Sequence, residues 1–355
     1  MSTVNELLSQ ARRLPDGEPA KIRLNEQAIS LADQGNDLGL QYKSRIALVE
    51  AAAFSGHPEK VLVNFGWCIA QCEKFPEQFP LPDILWKYKY VIACAVGFHS
   101  INRETLEQLL TNMHRHYEQA GFSLRPVHYM RAHMHLYAGE FEDCLQQLQI
   151  SRGLEKDRFA DCSACEVNFI VTALVALKRD QEAIQAAQPL LQGNEGCAEV
   201  PHLTFAALLS STSRLGNKEL GTLLLTSGYQ LIRSNPEFLY QIGLQMQYCA
   251  EQALIDTGLE RLQSHCDWLL ASMDPGGRLQ FQMGAAMVLN KALQQGQTSL
   301  VLRLPNSFAL FNPAGEYSTQ QLCEYFSQQA FMAAQGFDQR NGNRYYQLQL
   351  AENLA

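Results

Sequence analysis

Two cysteines in a CxxC motif are the residues of this sequence with the most recognisable chemistry. Cys162 and Cys165 stand where an amphipathic helix is predicted to begin, and a helix N-terminus favours the thiolate form of cysteine. A redox CxxC usually belongs to a βαβ unit, and a zinc site of this type uses a second, matching pair of cysteines. The sequence offers neither, since Cys68 and Cys72 have the wrong spacing. We therefore predict that the ten cysteines are reduced structural thiols and that no metal is bound.

Two pairs of histidines also invite a metal-binding interpretation. His114 and His116 form one pair, and His133 and His135 form the other. Because residues two apart on an α-helix point about 200° away from each other, neither pair can hold one ion from one helix face. We expect His133 on the exposed side of its helix and His135 at a packing position.

Motifs of the common catalytic sites are missing from the sequence. It contains no HExxH, phosphate-binding loop, GxSxG or dinucleotide fingerprint. The acidic residues Glu140, Glu142 and Asp143 follow a turn, where a solvated helix N-terminus accounts for them. We predict no catalytic residues, no cofactor and no enzymatic activity. The enzymatic alternative places a pocket in the C-terminal part of the chain, near Arg303, Tyr317, Tyr325 and Arg340.

Composition and charge are typical of a soluble, folded chain. Of the 355 residues, 46% are hydrophobic and 18% are charged. The net charge of −8 argues against a nucleic-acid partner, which normally needs a basic surface. No apolar run is long enough to cross a membrane. The first residues predict a helix with a capping box at Thr3 and Glu6 rather than a signal segment. We therefore expect a cytoplasmic protein that binds neither membrane nor nucleic acid.

Helical hairpins that recur about every 40 residues would position these side chains. The clearest hairpin spans residues 133–148, with a turn on Gly139 between two amphipathic helices. Corresponding turns are predicted at Gly56, Ile101, Gly139, Lys178, Gly216 and Gly258, 38 to 45 residues apart. This periodicity predicts an all-α fold, an α–α superhelix or solenoid of about seven helix pairs over residues 1–297.

The pattern changes in residues 298–355, which we interpret as a C-terminal cap or appendage. Residues 299–304 alternate between apolar and polar side chains and predict a short strand, paired with 308–311 in a hairpin. A final helix is predicted over 318–335, followed by a polar tail with a turn at Asn341 and Gly342. The terminal units of a repeat array must cover the open end of the stack. In the alternative arrangement, residues 306–316 occupy the groove of the array as an internal ligand.

The hairpins share a pattern of residue sizes. A small or aliphatic residue lies midway along the first helix, a turn follows, and one or two further small or apolar residues lie on the second helix. These positions are Ala132, Gly139, Cys144 and Leu148; Val49, Gly56, Val61 and Phe65; and Leu209, Gly221 and Leu225. The pattern resembles the tetratricopeptide repeat superfamily. The signature Trp and Leu-Gly pair are absent, and the period is nearer to about 40 than to about 34 residues. Longer periods are similar to the divergent branch found in bacterial transcription activators, peptide-pheromone receptors and kinesin light chain. A HEAT-like or plain α–α stack is the alternative.

The resemblance implies that the first helices line a concave face that binds a protein or peptide. The positions carried over to this sequence are Lys43, Glu50, Tyr88, Tyr129, His133, Tyr137, Asn168, Thr172 and Arg214. This set offers hydrogen-bonding groups suited to an extended peptide. We therefore predict a non-enzymatic scaffold or adaptor. The alternative is a regulatory sensor that binds a small ligand or signalling peptide and acts through a partner chain. A third possibility is that the concave face is merely solvated and the partner binds elsewhere.

Overall fold

Hairpins of consecutive α-helices make up almost all of the structure, a computed structural model that describes residues 3–354. In that part of the chain the only sheet has two strands, so the predicted all-α class is confirmed. Contacts between consecutive helices are consistent with the predicted solenoid. The chain divides into two compact units.

The first unit contains the residues up to Met134 together with Gln149–Ala160. Its helices are α1 (Val4–Arg12), α2 (Pro19–Asp33), α3 (Leu38–Phe54), α4 (Pro58–Lys74), α5 (Pro82–Leu85), α6 (Lys87–Gly97) and α7 (Arg103–Gln119), with the first part of α8 (Arg125–Ala138) and the last part of α9 (Phe141–Gly153). Helices α1 to α4 pack in succession, each on the next. The predicted capping box is confirmed: Thr3 Oγ1 accepts from the Glu6 amide, and Glu6 accepts from the Thr3 amide.

The second unit contains His135–Leu148 and the residues from Asp161 onward. Its further helices are α10 (Ser163–Ala176), α11 (Asp180–Ala186), α12 (Gln188–Leu191), α13 (His202–Arg214), α14 (Lys218–Ile232), α15 (Leu239–Glu251), α16 (Ile255–Ala271), α17 (Pro275–Gln294), α18 (Thr319–Asn341) and α19 (Tyr345–Leu354). The strands are β1 (Ser299–Val301) and β2 (Glu316–Ser318), and a 3-10 turn, Pro236–Phe238, precedes α15. Pro189, which lacks an amide hydrogen, lies where α11 gives way to α12.

Most of the predicted turns lie where the chain reverses between helices. The backbone is left-handed at Gly56, Gly139, Lys178 and Gly216, with φ between 58° and 76°. The prediction of a turn at Gly258 is wrong, because this residue lies inside α16 and the left-handed residue is Ala253. A Cβ atom at Gly258 would lie 2.6 Å from Val288 Cγ2, so this glycine permits close packing of α16 on α17.

Two glycines also let α15 and α17 approach closely. A Cβ atom at Gly243 would lie 2.4 Å from the carbonyl oxygen of Gln280, and one at Gly284 would lie 2.5 Å from the carbonyl oxygen of Gly243. Backbone atoms of the two helices therefore meet where these side chains are missing. This crossing lies at the centre of the apolar core of the second unit, beside Phe281 and Met246.

The C-terminal residues belong to that same core. Leu300, Phe326 and Phe337 are buried in one cluster with residues of α15 to α17. The described residues from 298 onward thus pack within the second unit. The predicted pairing of 299–304 with 308–311 is wrong, since β1 pairs with β2, antiparallel. Phe308 instead packs on Phe326, with ring centroids 5.7 Å apart.

The last two helices also differ from the prediction. Helix α18 continues to Asn341, beyond the predicted end at residue 335. The predicted turn at Gly342 is confirmed by its left-handed cap, with φ of 70°. The tail predicted to be polar forms α19. None of the helices in residues 3–354 combines the length and apolar character needed to cross a membrane.

Candidate functional site

Three of the predicted concave-face residues of the first unit keep some contact with solvent. Lys43 is exposed and donates to Asn5 Oδ1 at 2.8 Å. Glu50 is half-buried and forms an ion pair with Lys87. His133, which we expected on the exposed side of its helix, is half-buried, and desolvation lowers its pKa to about 4. These residues therefore offer one cation, one paired carboxylate and a neutral imidazole.

The two predicted tyrosines of the first unit lie in its interior. Tyr88 and Tyr129, expected to be exposed, are 1% and 7% accessible, so in this conformation they do not offer a binding surface. The Tyr88 hydroxyl is 2.7 Å from His116 Nδ1, and His116 Nε2 is 3.1 Å from Glu73 Oε1. Arg115 donates to the same Glu73 oxygen and lowers the pKa of this carboxyl. Tyr88 and His116 thus form the buried end of a polar network that links α6 and α7 to the exposed carboxylate of Glu73 at the end of α4.

Three predicted residues of the second unit form hydrogen bonds within the fold. Asn168 is buried, and its Oδ1 accepts from Thr204 at 2.7 Å, which corrects its expected exposure. Thr172 is half-buried and donates to the Asn168 carbonyl at 2.9 Å. Arg214 holds Asp180 through two hydrogen bonds of 2.6 and 2.9 Å. A partner at this position would have to compete for the Arg214 guanidinium.

The remaining predicted residue, Tyr137, lies in a cluster of tyrosines. We call this cluster the tyrosine recess and define it as Tyr137, Tyr240, Tyr345, Tyr346, Asp274 and Arg340. All six residues belong to the second unit. They come from the end of α8, the start of α15, the residue before α17, the end of α18 and the start of α19.

Hydrogen bonds to the end of α8 hold the recess together. The last carbonyl groups of a helix have no partner within the helix. The Tyr137 carbonyl accepts from Asn341 Nδ2 at 3.1 Å and from the Tyr346 hydroxyl at 2.9 Å. The Ala138 carbonyl accepts from Asn343 Nδ2 at 2.6 Å. Residues some 200 positions later in the chain thus cap this helix.

Each tyrosine of the recess is partly open to solvent and yet desolvated by the protein around it. Tyr240 is 38% exposed, and the other three are half-buried. Burial, and then the charge of Asp274, raises the pKa of Tyr240 to about 12. Burial also raises the pKa values of Tyr137, Tyr345 and Tyr346, and the neighbouring Tyr240 adds to each of these shifts.

The charged members of the recess have separate roles. Asp274 caps α17, accepting from the amides of Gly276 and Gly277 at 3.0 and 2.9 Å. The Asp274 side chain keeps a solvent-accessible surface, but the protein atoms packed around it desolvate the carboxyl group and raise its pKa. The two amide hydrogen bonds partly offset this rise. Arg340 donates to the Tyr137 carbonyl at 3.5 Å. The recess therefore combines four hydroxyls, which stay protonated at neutral pH, with one carboxyl and one guanidinium.

Three thiols of the second unit form another cluster, which the sequence pattern did not reveal. Cys162 Sγ is 3.2 Å from Cys165 Sγ, and Cys165 Sγ is 3.6 Å from Cys197 Sγ. The third cysteine lies in the connection between α12 and α13, too far along the chain for a spacing rule to link it with the CxxC motif. The fold places a third thiol beside this motif.

A second group of possible metal ligands lies at the turn after α8. His135 Nδ1 is 2.6 Å from Glu140 Oε2, and Asp143 lies near both. The pair is half-buried and joins the end of α8 to the start of α9. A structural ion pair accounts for this arrangement.

The residues of the enzymatic alternative are distributed over different parts of the second unit. Tyr317 is buried and its hydroxyl accepts from the Asn312 amide, while Tyr325 packs edge-on against Phe308. Arg340 belongs instead to the tyrosine recess. Tyr317 and Tyr325 thus contribute to the packing of the C-terminal segment.

Comparisons with known proteins assign no family to this chain. No protein-family model matches it, and no curated protein matches it significantly. The resemblance to tetratricopeptide repeats therefore remains a prediction, and the function has to be argued from the geometry.

Proposed function

We propose that this chain is a non-enzymatic, cytoplasmic helical-repeat scaffold or adaptor that binds a protein or peptide segment. We further propose that the tyrosine recess of the second unit is part of the surface that holds this segment. One observation carries the proposal: four tyrosines from α8, α15 and α19 lie in one cluster, and each of them keeps some contact with solvent.

Tyrosine hydroxyls are suited to the chemistry of an extended peptide. Each hydroxyl can donate one hydrogen bond and accept others, and a peptide backbone presents both donors and acceptors. The rings add a large, rigid contact area at low cost in side-chain entropy. Because the recess is partly desolvated, a hydrogen bond formed in it is stronger than one on an open surface.

The runner-up function is a sensor for a small ligand or signalling peptide. It is favoured by the origin of the recess, since the chain's own α19 supplies Tyr345 and Tyr346. A ligand that enters the recess would therefore change the packing of this helix. A sensor of this kind would act through a partner chain.

The proposal predicts that removing an accessible recess tyrosine abolishes partner capture. We would compare the wild-type protein with Tyr240→Ala in an affinity capture from the native cytosol, followed by binding measurements with the purified partner. Tyr90→Ala is the matched control, because Tyr90 is a half-buried tyrosine of α6 in the first unit. We expect one stoichiometric partner with wild type and control, and at least tenfold weaker binding for Tyr240→Ala, the loss of about 1.4 kcal/mol.

Unchanged affinity of Tyr240→Ala for the partner would contradict the proposed recess. If no macromolecule is captured, thermal unfolding with metabolite and peptide pools tests the sensor function. A small ligand that binds the folded state raises the unfolding temperature by mass action. Stabilisation of wild type and of Tyr90→Ala, but not of Tyr240→Ala, would establish the sensor in place of the scaffold.

A further inference from the structure

The three clustered thiols of the second unit have the spacing of metal ligands. All three sulfur atoms lie within 4.8 Å of one another, and all three cysteines are free. A zinc ion at about 2.3 Å from tetrahedrally arranged sulfur ligands places those sulfurs about 3.8 Å apart. The distances from Cys165 Sγ to Cys162 Sγ and to Cys197 Sγ, 3.2 and 3.6 Å, lie close to this separation. An ion could therefore be bound with only small adjustments of the side chains.

Backbone amide groups are directed at two of the three sulfurs. Cys162 is the N-cap of α10, and its Sγ accepts from the Cys165 amide at 3.4 Å. The backbone amides of Glu199 and Val200 also donate to the Cys197 sulfur. Amide hydrogen bonds of this kind stabilise the thiolate, the form that binds a metal.

The connection before α13 is closed around Cys197. The Cys197 amide donates to the Val200 carbonyl at 2.9 Å. A Cβ atom at Gly196 would lie 3.3 Å from the same carbonyl oxygen, so this turn is tightly packed. Cys162 and Cys197 are both exposed. An ion can therefore reach the cluster from solvent without an opening of the core.

We propose that Cys162, Cys165 and Cys197 bind one Zn²⁺ ion as three thiolates. On binding, each thiol loses its proton to the solvent, and no electron is transferred. In the described part of the chain no fourth Cys, His, Asp or Glu ligand atom lies with the three sulfurs, so a solvent molecule would complete the tetrahedron. The ion would fasten the connection before α13 to the first turn of α10.

The alternative chemistry is a disulfide between Cys162 and Cys165. Dithiol exchange needs only two thiols, so a disulfide between Cys162 and Cys165 would leave the position of Cys197 unexplained. The three-sulfur cluster therefore favours a metal.

The first test is the metal content of the protein and of two serine variants. Cys162→Ser keeps an oxygen that can cap α10, since serine is a good N-cap residue, so the ligand is lost while the helix start is retained. Cys197→Ser removes the ligand from the other segment. Cys323→Ser is the matched control, because Cys323 is a partly buried free thiol of α18 outside the cluster. We expect one zinc per chain in wild type and control, and less than a tenth of that in both ligand variants.

Cobalt titration of the metal-free, reduced protein provides the spectroscopic readout. Co²⁺ alone should give a thiolate charge-transfer band that saturates at one equivalent and disappears on addition of Zn²⁺.

Two results would overturn the proposal itself. The first is the absence of zinc and cobalt binding by the reduced wild-type protein, or an equal affinity of wild type and Cys197→Ser for these ions, which would show that Cys197 is not a ligand. The second is recovery of Cys162 and Cys165 as a disulfide from cells lysed under thiol-trapping conditions, with no zinc in the same preparation.

Discussion

The turn at Gly139 allows the packing of the last helix to be tested with a matched pair of substitutions. Gly139 and Gly216 have nearly the same left-handed backbone, with φ of 76° and 66°. Alanine at either position should therefore cost about 1–2 kcal/mol of strain. A Cβ atom at Gly139 would also lie 2.6 Å from Tyr345 Cγ and 2.9 Å from its Cβ, whereas nothing lies within 4 Å of that position at Gly216.

The additional cost of Gly139→Ala comes from Tyr345. Its Cβ and Cγ atoms lie at the base of the side chain, so they can move away only if α19 moves. Overpacking of this kind typically costs about 1–3 kcal/mol beyond the backbone strain. We therefore expect Gly139→Ala to destabilise the protein by about 2–5 kcal/mol in total, and Gly216→Ala by about 1–2 kcal/mol.

Hydrogen exchange followed by mass spectrometry can locate the effect. In Gly139→Ala, peptides that cover residues 340–354 should exchange roughly 5- to 150-fold faster than in Gly216→Ala. This factor is the overpacking cost of about 1–3 kcal/mol converted into an equilibrium constant for local opening. Wild type and Gly216→Ala should protect these peptides equally. Equal protection of residues 340–354 in all three proteins would refute the contact between Tyr345 and the turn.

Two further predictions concern the second unit. Burial, and then the charge of Arg261, lowers the pKa of His265 to about 4, so the unfolded state binds more protons and stability falls as the pH drops from about 6.5 towards 4. Urea unfolding should show that His265 makes the protein about 2 kcal/mol less stable at pH 5 than at pH 7. His265→Phe should remove this difference. Parallel curves of unfolding free energy against pH for wild type and His265→Phe would disprove the prediction. At the crossing of α15 and α17, Gly243→Ala places a methyl group 2.4 Å from a backbone oxygen, and we expect a loss of about 3 kcal/mol or more, or no soluble protein. Thermal unfolding within 1 °C of wild type would contradict that close approach.

The sequence predicted those elements that local rules determine. Capping residues, prolines at helix starts and glycines at turns act over a few residues, so Thr3, Pro58 and Gly139 could be assigned without a structure. Gly258 shows the limit of the same rules. A glycine that allows two helices to approach and a glycine that allows a left-handed turn are identical in the sequence, and only the position of Val288 distinguishes them.

Burial of the predicted face residues depended on information that the sequence does not contain. Helical periodicity gives the face of a helix, but it does not state whether a second layer covers that face. Tyr88 and Asn168 were expected to be exposed, and both are buried with hydrogen-bond partners on other helices. Cys197 was missed for a related reason, since the fold brings it to the CxxC motif from a distant connection.

The C-terminal helix was missed because its apolar stripe is short: only Tyr346, Leu350 and Leu354 recur every four residues, in a segment that is otherwise mostly polar. Helix α19 buries Leu350 in the core of the second unit and supplies Tyr345 and Tyr346 to the recess. Its packing and the occupancy of the recess are therefore thermodynamically linked. A ligand shifts an equilibrium only by its different affinity for the two states, which here are α19 docked and α19 undocked. A ligand that needs both tyrosines in place must therefore stabilise the docked helix. A ligand that replaces them must loosen it. The protection of residues 340–354 in the presence of a bound partner thus reveals whether the tail of the chain is part of the binding surface or its competitor.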